Sequence, residues 1–159
     1  MKKKILVIFT GPMDAGGVES SLLGLLNSFD YDKYDVDLFL YAHHGPLFSL
    51  IDQRACLLPE VKDLAYLRES FMAKLKHGSW YAALLRVIAS IKSKFTEIDM
   101  DQDWAKVMRR CEPKLDKHYD LALSFFLPCD FMIEKVDADI KVGWIHTDYN
   151  GFNIDIQAL

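Results

Sequence analysis

Two loops carry the residue types best suited to phosphate or sugar chemistry, and the first holds the adjacent glycines Gly16 and Gly17. Glycines before a leucine-rich segment allow a phosphate or another backbone to approach closely, and the free N–H groups of a first helical turn then face that space. Together with the helix dipole, this predicts an anion site suited to diphosphates. Glu19 suits the dipole and can reach back toward the helix start. A glycine pair also serves simply as a tight packing turn, so the residues alone leave both interpretations open.

The second loop contains His146 and Asp148, near the end of the sequence. A histidine that follows a strand can donate a hydrogen bond to a sugar hydroxyl or to a developing phosphate charge. Asp148 can orient that imidazole or act as a base toward an acceptor hydroxyl. The alternatives are a surface histidine and a solvated aspartate that stabilises the turn.

The elements that must position these loops are indicated by hydrophobic patterning. The apolar run at 5–10 is typical of a strand buried on both faces of a parallel sheet, and an i, i+4, i+7 stripe predicts a helix at 18–29. This order predicts an α/β, Rossmann-like, open and mostly parallel sheet with helices on both faces, whose ligands lie at the carboxyl ends of the strands. The other predicted elements are strands at 35–41, 55–58, 121–126 and 140–145, and helices at 47–53, 61–95 (broken near 77–79), 101–117 and 130–136.

The composition is that of one globular domain spanning residues 1–159, with 51% hydrophobic and 26% charged residues. A net charge of −4 gives no reason to expect a nucleic-acid partner. The first apolar run is too short for a signal peptide, and no stretch approaches the roughly 18 apolar residues of a membrane span. These features predict a cytoplasmic protein. Three widely spaced cysteines match neither a disulfide framework nor a zinc site and are predicted to be buried: Cys56, Cys111 and Cys129.

Other cofactor sites are disfavoured by residue spacing. Counted from Gly11, a dinucleotide fingerprint needs glycines at positions 13 and 16, and only the second is present. No Gly-Lys-Ser/Thr follows the turn, so a P-loop is excluded as well; an oxidoreductase that binds NAD(P) remains a third hypothesis. His43 and His44 are adjacent and lack a nearby third ligand, which argues against zinc. The acidic run at 99–103 lacks the glycine and glutamate of a calcium loop, and it is predicted to cap the following helix.

A stretch at 71–96 contains no Asp or Glu, although apolar and aromatic residues alternate there with basic ones. A basic amphipathic helix of this kind can lie on an anionic membrane surface, which would place the protein peripherally on the inner face of the plasma membrane. The other interpretation is a core-packing stripe with a solvated basic face. The basic residues are Lys74, Lys76, Arg86, Lys92 and Lys94.

Two segments resemble the N-terminal domain of the retaining, family 4 glycosyltransferases of the GT-B architecture. The first is KKILVIFTGPMDAGGVESSLLGLLNSFDYDKYDVDLFLY, where a strand leads to a G-x-G-G-x-E-like turn, a leucine-rich helix and a V-D-L-x-L strand. The second is YDLALSFFLPCDFMIEKVDADIKVGWIHTDY, which is similar to the family's S-F strand and its K-x-G-W-x-H-x-D strand and loop. The resemblance covers nearly the whole chain, and the middle helices match least.

This resemblance implies a nucleotide-diphosphate sugar as donor substrate, transfer with retention of configuration, and no metal or other cofactor. It places Gly16 and Gly17 at the donor phosphates, Glu19 at the acidic position after them and His146 at the sugar-facing edge of the cleft. Ser20 stands where many members have arginine. The predicted site residues are therefore His146 and Asp148 as catalytic, Gly16 and Gly17 as donor-phosphate-binding, and Met13, Glu19 and Thr147 as substrate-binding.

Enzymes of this architecture have a second domain, which supplies most nucleotide contacts and an acidic pair. The sequence is therefore expected to be an N-terminal, acceptor-side domain that needs the C-terminal domain, in cis or in trans, for turnover. The predicted function is hexosyl transfer from a nucleotide-diphosphate sugar to a polysaccharide or lipid-linked glycan. The alternative is a non-catalytic half-enzyme or interaction domain that binds acceptor or membrane and needs a partner chain.

Overall fold

The computed structural model describes residues 2–66, 72, 76–92, 107–126 and 129–146. These residues fall into two compact units, one formed by residues 1–59 with 114–159 and the other by residues 60–113. A single domain at 1–159 is what the sequence predicts, and its hydrophobic patterning carries no signal for this division.

The first unit is built on a five-stranded sheet in which every pairing is parallel, in the order β3-β2-β1-β4-β5. The predicted Rossmann-like α/β fold is therefore confirmed. Its strands are β1 (Lys3–Phe9), β2 (Tyr34–Leu40), β3 (Cys56–Leu57), β4 (Tyr119–Ser124) and β5 (Ala138–Gly143). Its α-helices are α1 (Gly17–Ser28) and α4 (Asp130–Lys135), and a 3₁₀ turn spans Phe48–Leu50.

The helices cover opposite faces of the sheet. Leu22 and Leu26 of α1 are completely buried in a core with Val7 of β1. Burial of each such leucine stabilises the fold by about 1.5–3 kcal/mol. On the other face, the ring of Phe131 from α4 lies 4.9 Å from the ring of Phe39 on β2. The apolar runs of β1 and β2 are explained by this arrangement, because their side chains are buried on both sides.

Polar groups in the amino-terminal half of the sheet are bonded to one another. The buried Asp37 carboxylate, on β2, accepts hydrogen bonds from Lys117 Nζ at 2.7 Å and from the hydroxyl of Tyr119 at 2.8 Å. The backbone N–H of Lys4 donates to the Asp120 carboxylate at 2.7 Å. Burial, followed by the bond to Asp37, raises the pKa of Tyr119. We call these five residues the amino-end network.

The second unit contains α2 (Lys62–Ala65), α3 (Trp80–Lys92) and a helical stretch at 107–111. The break predicted near 77–79 within the helix at 61–95 is confirmed, because residues 77–79 are not helical and Gly78 has a φ of +76°. Among the described residues, no helix has the length and apolar character needed to cross a membrane.

The cysteine prediction was only partly right. Cys111 and Cys129 are buried, but Cys56 is exposed on β3, and none of the three is in a disulfide. Strand β3 has only two residues and lies at the edge of the sheet, so it offers little cover for a side chain.

Candidate functional site

The strand order reverses between β1 and β4, the two neighbours at the centre of the sheet. The chain leaves β1 toward α1 on one face and leaves β4 toward α4 on the other. The connections therefore diverge at the carboxyl ends of these strands, which is where open α/β sheets bind ligands. We call this end of the sheet the carboxyl edge. It carries the loops that follow β1, β2, β4 and β5.

The glycine turn lies at the carboxyl edge, immediately before α1. Gly17 is the first residue of the helix and is exposed, and no described atom lies within 4 Å of the position a Cβ would take there. A Cβ on Gly16 would instead collide with the carboxylate of Glu19. Glu19 therefore reaches back over the helix start, as the sequence suggested, while the space beside Gly17 stays open.

Met13 occupies a different place from the one predicted for a substrate-binding residue. Its side chain is completely buried in the core. Its N–H donates to the carbonyl of His44 at 2.9 Å, and its carbonyl accepts from the N–H of Leu47 at 3.0 Å. The geometry therefore does not support substrate contact by Met13; the residue fastens the loop after β1 to the loop after β2.

Gly45 makes this fastening possible. Its φ is +113°, a conformation that side-chain-bearing residues rarely adopt, and a Cβ there would collide with the backbone of Met13. His43, in the same loop, stacks on Phe48 with ring centroids 5.6 Å apart. The loop at 42–48 thus supports the loop that contains the glycine turn.

His146 lies where the chain leaves β5, held by two aromatic rings. The Trp144 ring is parallel to the imidazole within 2°, with centroids 5.7 Å apart, and the Phe125 ring lies 4.4 Å away. The Nε2 atom of His146 is buried, and it has no hydrogen-bond partner among the described residues. Buried polar atoms nearly always have a partner, so this nitrogen has unused capacity for a water or a ligand group.

Sequence reasoning did not find the aromatic support of His146. Trp144 lies two residues earlier, and residues i and i+2 of an extended chain share a face, so that spacing was an available signal. The N–H of Trp144 donates to the carbonyl of Ser124 at 2.8 Å, and that of Phe125 donates to the carbonyl of Ile8 at 2.8 Å. The backbone that carries both rings is thereby bonded to the sheet.

Two predicted site residues, Thr147 and Asp148, lie outside the described residues, as does the acidic run at 99–103. Their proposed roles stay predictions. Within the described ranges, no group of three or more His, Cys, Asp or Glu side chains is arranged to hold a metal ion.

Cys129, beside α4, is not suited to act as a nucleophile. Burial raises the pKa of its thiol, and thiolates rather than thiols are reactive. A Cβ on Gly143 would lie 2.9 Å from its Sγ atom, so the end of β5 packs tightly on this sulfur.

The carboxyl edge therefore combines a helix start that is open beside Gly17 with an imidazole held by two rings on the other side of the strand-order reversal. The first attracts anionic groups through its N–H groups and the helix dipole. The second can donate or accept a hydrogen bond at Nε2 without any rearrangement of its ring. No protein-family model, curated protein or solved structure matches this chain.

Proposed function

We propose that this chain is the acceptor-side domain of a retaining glycosyltransferase that transfers a hexose from a nucleotide-diphosphate sugar to a polysaccharide or lipid-linked glycan. The observation that carries the proposal is the buried Nε2 atom of His146, which has no described partner and lies at the carboxyl edge. Of the two sequence segments that resemble family 4 enzymes, the first contains the glycine turn and the second contains this histidine. Both features thus belong to one edge of one parallel sheet.

The helix start supplies the phosphate chemistry in this proposal. The bond between the anomeric carbon and the diphosphate oxygen breaks, and negative charge develops on that oxygen. The N–H groups beside Gly16 and Gly17, together with the positive end of α1, stabilise that charge without a metal ion. The open space beside Gly17 gives a phosphate room to approach.

His146 supplies the sugar contact. Its stacked rings hold the imidazole in one orientation, so Nε2 can bond a donor hydroxyl or the developing charge at no reorganisation cost. The acceptor hydroxyl forms the new bond on the face that the diphosphate leaves, and its proton departs with the diphosphate. Glu19 and Thr147 are proposed to contact the substrate, and Asp148 is proposed as the second catalytic residue, which orients the imidazole of His146.

The nucleotide must be held by a second domain, in cis or in trans, because the residues described above provide only one wall of a donor site. The alternative function is a non-catalytic interaction domain that binds acceptor or membrane beside a partner chain. The two functions differ in one observable quantity, which is release of nucleoside diphosphate.

The decisive experiment is to supply a panel of UDP- and GDP-hexoses to the natural polypeptide or complex that contains this chain. A polysaccharide or lipid-linked acceptor is added, and nucleoside diphosphate release is measured. We expect release with at least one donor and retained anomeric configuration in the product. Absence of release with every donor, while acceptor binding persists, would favour the interaction domain. Calorimetric binding of NAD(P) would instead favour an oxidoreductase.

A further inference from the structure

Helix α3 carries four large apolar side chains on one exposed face. Trp80 is 65% exposed, Leu84 is 56% exposed, and Val87 and Ile88 are each about two-fifths exposed, at 41% and 40%. Their spacing of i, i+4, i+7 and i+8 puts them on one side of the helix. The buried side chains are mostly small: Ala82, Ala83 and Leu85. The helix thus uses its smaller side chains for packing and leaves a broad apolar stripe uncovered, which is uncommon unless the stripe binds something.

The exposure of this stripe does not come from a poorly anchored helix start. The Asp63 carboxylate, from α2, accepts hydrogen bonds from the Ser79 hydroxyl at 2.8 Å and from the N–H of Ala82 at 3.1 Å. Asp63 therefore satisfies the first turn of α3 as a capping residue does. Just before it, the rings of Tyr66 and His77 stack with centroids 4.2 Å apart. These contacts hold the start of α3, where Trp80 lies.

The charge of the surrounding sequence indicates what kind of partner the exposed stripe of α3 binds. The stretch at 71–96 has five basic residues and no acidic one, although the whole chain has a net charge of −4. Lys76, four residues before Trp80, is exposed. A stretch of sequence that combines basic residues with an apolar helical stripe matches an anionic lipid surface, where the stripe enters the acyl boundary and cations contact headgroups. Tryptophan and tyrosine, here Trp80 and Tyr81, favour that same boundary.

We infer that the exposed face of α3 binds the surface of anionic lipid bilayers, with the helix lying in the plane of the interface. A second copy of the chain is the main competitor for this face. Pairing two such stripes would bring two acid-free basic stretches together, and like charges in apposition oppose association. An anionic lipid surface suits both features of α3, because it offers apolar contact to the exposed stripe and negative charge to the basic stretch. The inference does not depend on the proposed transferase activity.

The test is co-sedimentation of the full chain with vesicles of phosphatidylcholine, alone or with about one-third phosphatidylglycerol, at low and high salt. We expect binding only to the phosphatidylglycerol vesicles and weaker binding in high salt, because salt screens the attraction. Leu84→Glu is expected to reduce binding about tenfold or more, since it removes an exposed leucine that would enter the lipid and adds repulsion. Lys76→Gln is expected to cost about fivefold.

Leu50→Glu is the matched control, because Leu50 is 59% exposed and lies in the other unit. Both leucine variants should keep the thermal stability of the parent protein, so a loss of binding by Leu84→Glu alone identifies the stripe. Equal binding by both variants, or equal binding to neutral vesicles, would overturn the inference. So would a dimer of the parent protein that Leu84→Glu converts to monomer, since the stripe would then be a protein interface.

Discussion

The two ends of the sheet differ in whether their polar groups are hydrogen-bonded within the protein. In the amino-end network, a carboxylate, an ammonium group and a phenol bond one another around Asp37, while Asp120 bonds the N–H of Lys4. At the carboxyl edge, His146 has a buried nitrogen without a described partner, and Gly17 borders open space. Internal bonding at one end stabilises the fold, whereas unused bonding capacity at the other is available to a ligand.

The difference between the two ends shows which kind of buried polar group indicates a functional site in a sheet of this kind. A buried charged group is not in itself a sign of a site, because Asp37 is buried and its acceptor oxygen is used by Lys117 and Tyr119. The informative observation is a polar atom that the fold has immobilised and left unsatisfied. By that criterion His146 stands out, and its position agrees with the strand-order reversal beside it.

The largest effect is expected from Asp37→Ala, which breaks the amino-end network. The substitution leaves the buried Tyr119 hydroxyl and the Lys117 ammonium group without their acceptor, so we expect a loss of about 3 kcal/mol in the free energy of unfolding. Urea denaturation measures it. Asp35→Ala, on the same strand, is the control: its carboxylate is 53% exposed and lies 3.6 Å from Lys2, so a change within about 0.5 kcal/mol is expected. Equal losses for the two variants would contradict the network's role.

His146→Ala tests the other side of the comparison. We expect transferase activity to fall about a hundredfold, because a pre-positioned hydrogen-bonding group is lost from the transition state. The stability change should be about 1 kcal/mol or less, since only ring contacts with Phe125 and Trp144 disappear. His146→Gln, which keeps a donor, should recover part of the activity. His118→Ala, at the amino end, should leave the rate unchanged; a similar fall in both alanine variants would remove His146 from the mechanism.

A smaller effect is expected when a methyl group enters the open space beside Gly17. Gly17→Ala should weaken binding of the nucleotide-diphosphate sugar about tenfold without destabilising the fold, because the space is empty until a phosphate arrives. Gly24→Ala, farther along α1 and equally unobstructed, should leave binding unchanged and raise stability by about 0.5–1 kcal/mol. Titration calorimetry of both variants with the nucleotide-diphosphate sugar measures the two affinities. Unchanged affinity in Gly17→Ala would mean that no phosphate approaches this turn.

The smallest effect concerns His118, whose ring nitrogens lie 3.1 Å from Asp137 and 3.4 Å from Asp139. The hydrogen bond to Asp137, with the charge of both carboxylates, raises the pKa of His118 above its ordinary value near 6.5. Its stabilisation is therefore complete below about pH 6.5 and is lost as pH rises through the higher pKa of the folded protein. The effect is small because all three side chains are more than half exposed.

NMR titration of the His118 ring would measure that pKa directly, and thermal unfolding at several pH values would measure the stability. At low pH the parent protein should be more stable than His118→Asn. This difference in the free energy of unfolding should disappear as the pH rises through the pKa of His118 in the folded protein. An advantage that grows with pH would contradict the sign of the shift.

The sequence predicted the order of the strands along the chain better than it predicted their limits. Predicted strands at 5–10, 121–126 and 140–145 begin two residues later than the observed β1, β4 and β5, and they end one or two residues later. The apolar runs mark burial, but ladder hydrogen bonds also form through exposed polar residues such as Lys3. Beyond the carboxyl ends, single backbone bonds continue the pairing, as from the N–H of Tyr41 to the carbonyl of Phe9.

The sequence predicted that the candidate site lies at the carboxyl edge of the sheet, but it did not predict which residues contact one another there. Gly17 and His146 were located by the ends of their strands, whereas the burial of Met13 depends on contacts with a loop thirty residues later. Asp37 was visible as an acidic residue within an apolar strand, which signals a buried carboxylate in need of partners. Its partner Lys117 lies eighty residues away in sequence and could not be identified by spacing.

The exposed thiol of Cys56 has a practical consequence for each of these experiments. Cys111 and Cys129 are buried, so a maleimide dye or spin label should attach at β3 without any mutagenesis. The same thiol permits two chains to become covalently crosslinked in air. Such an adduct would mimic a dimer in the vesicle experiment, so a reductant, or a Cys56→Ser background, belongs in every measurement of association.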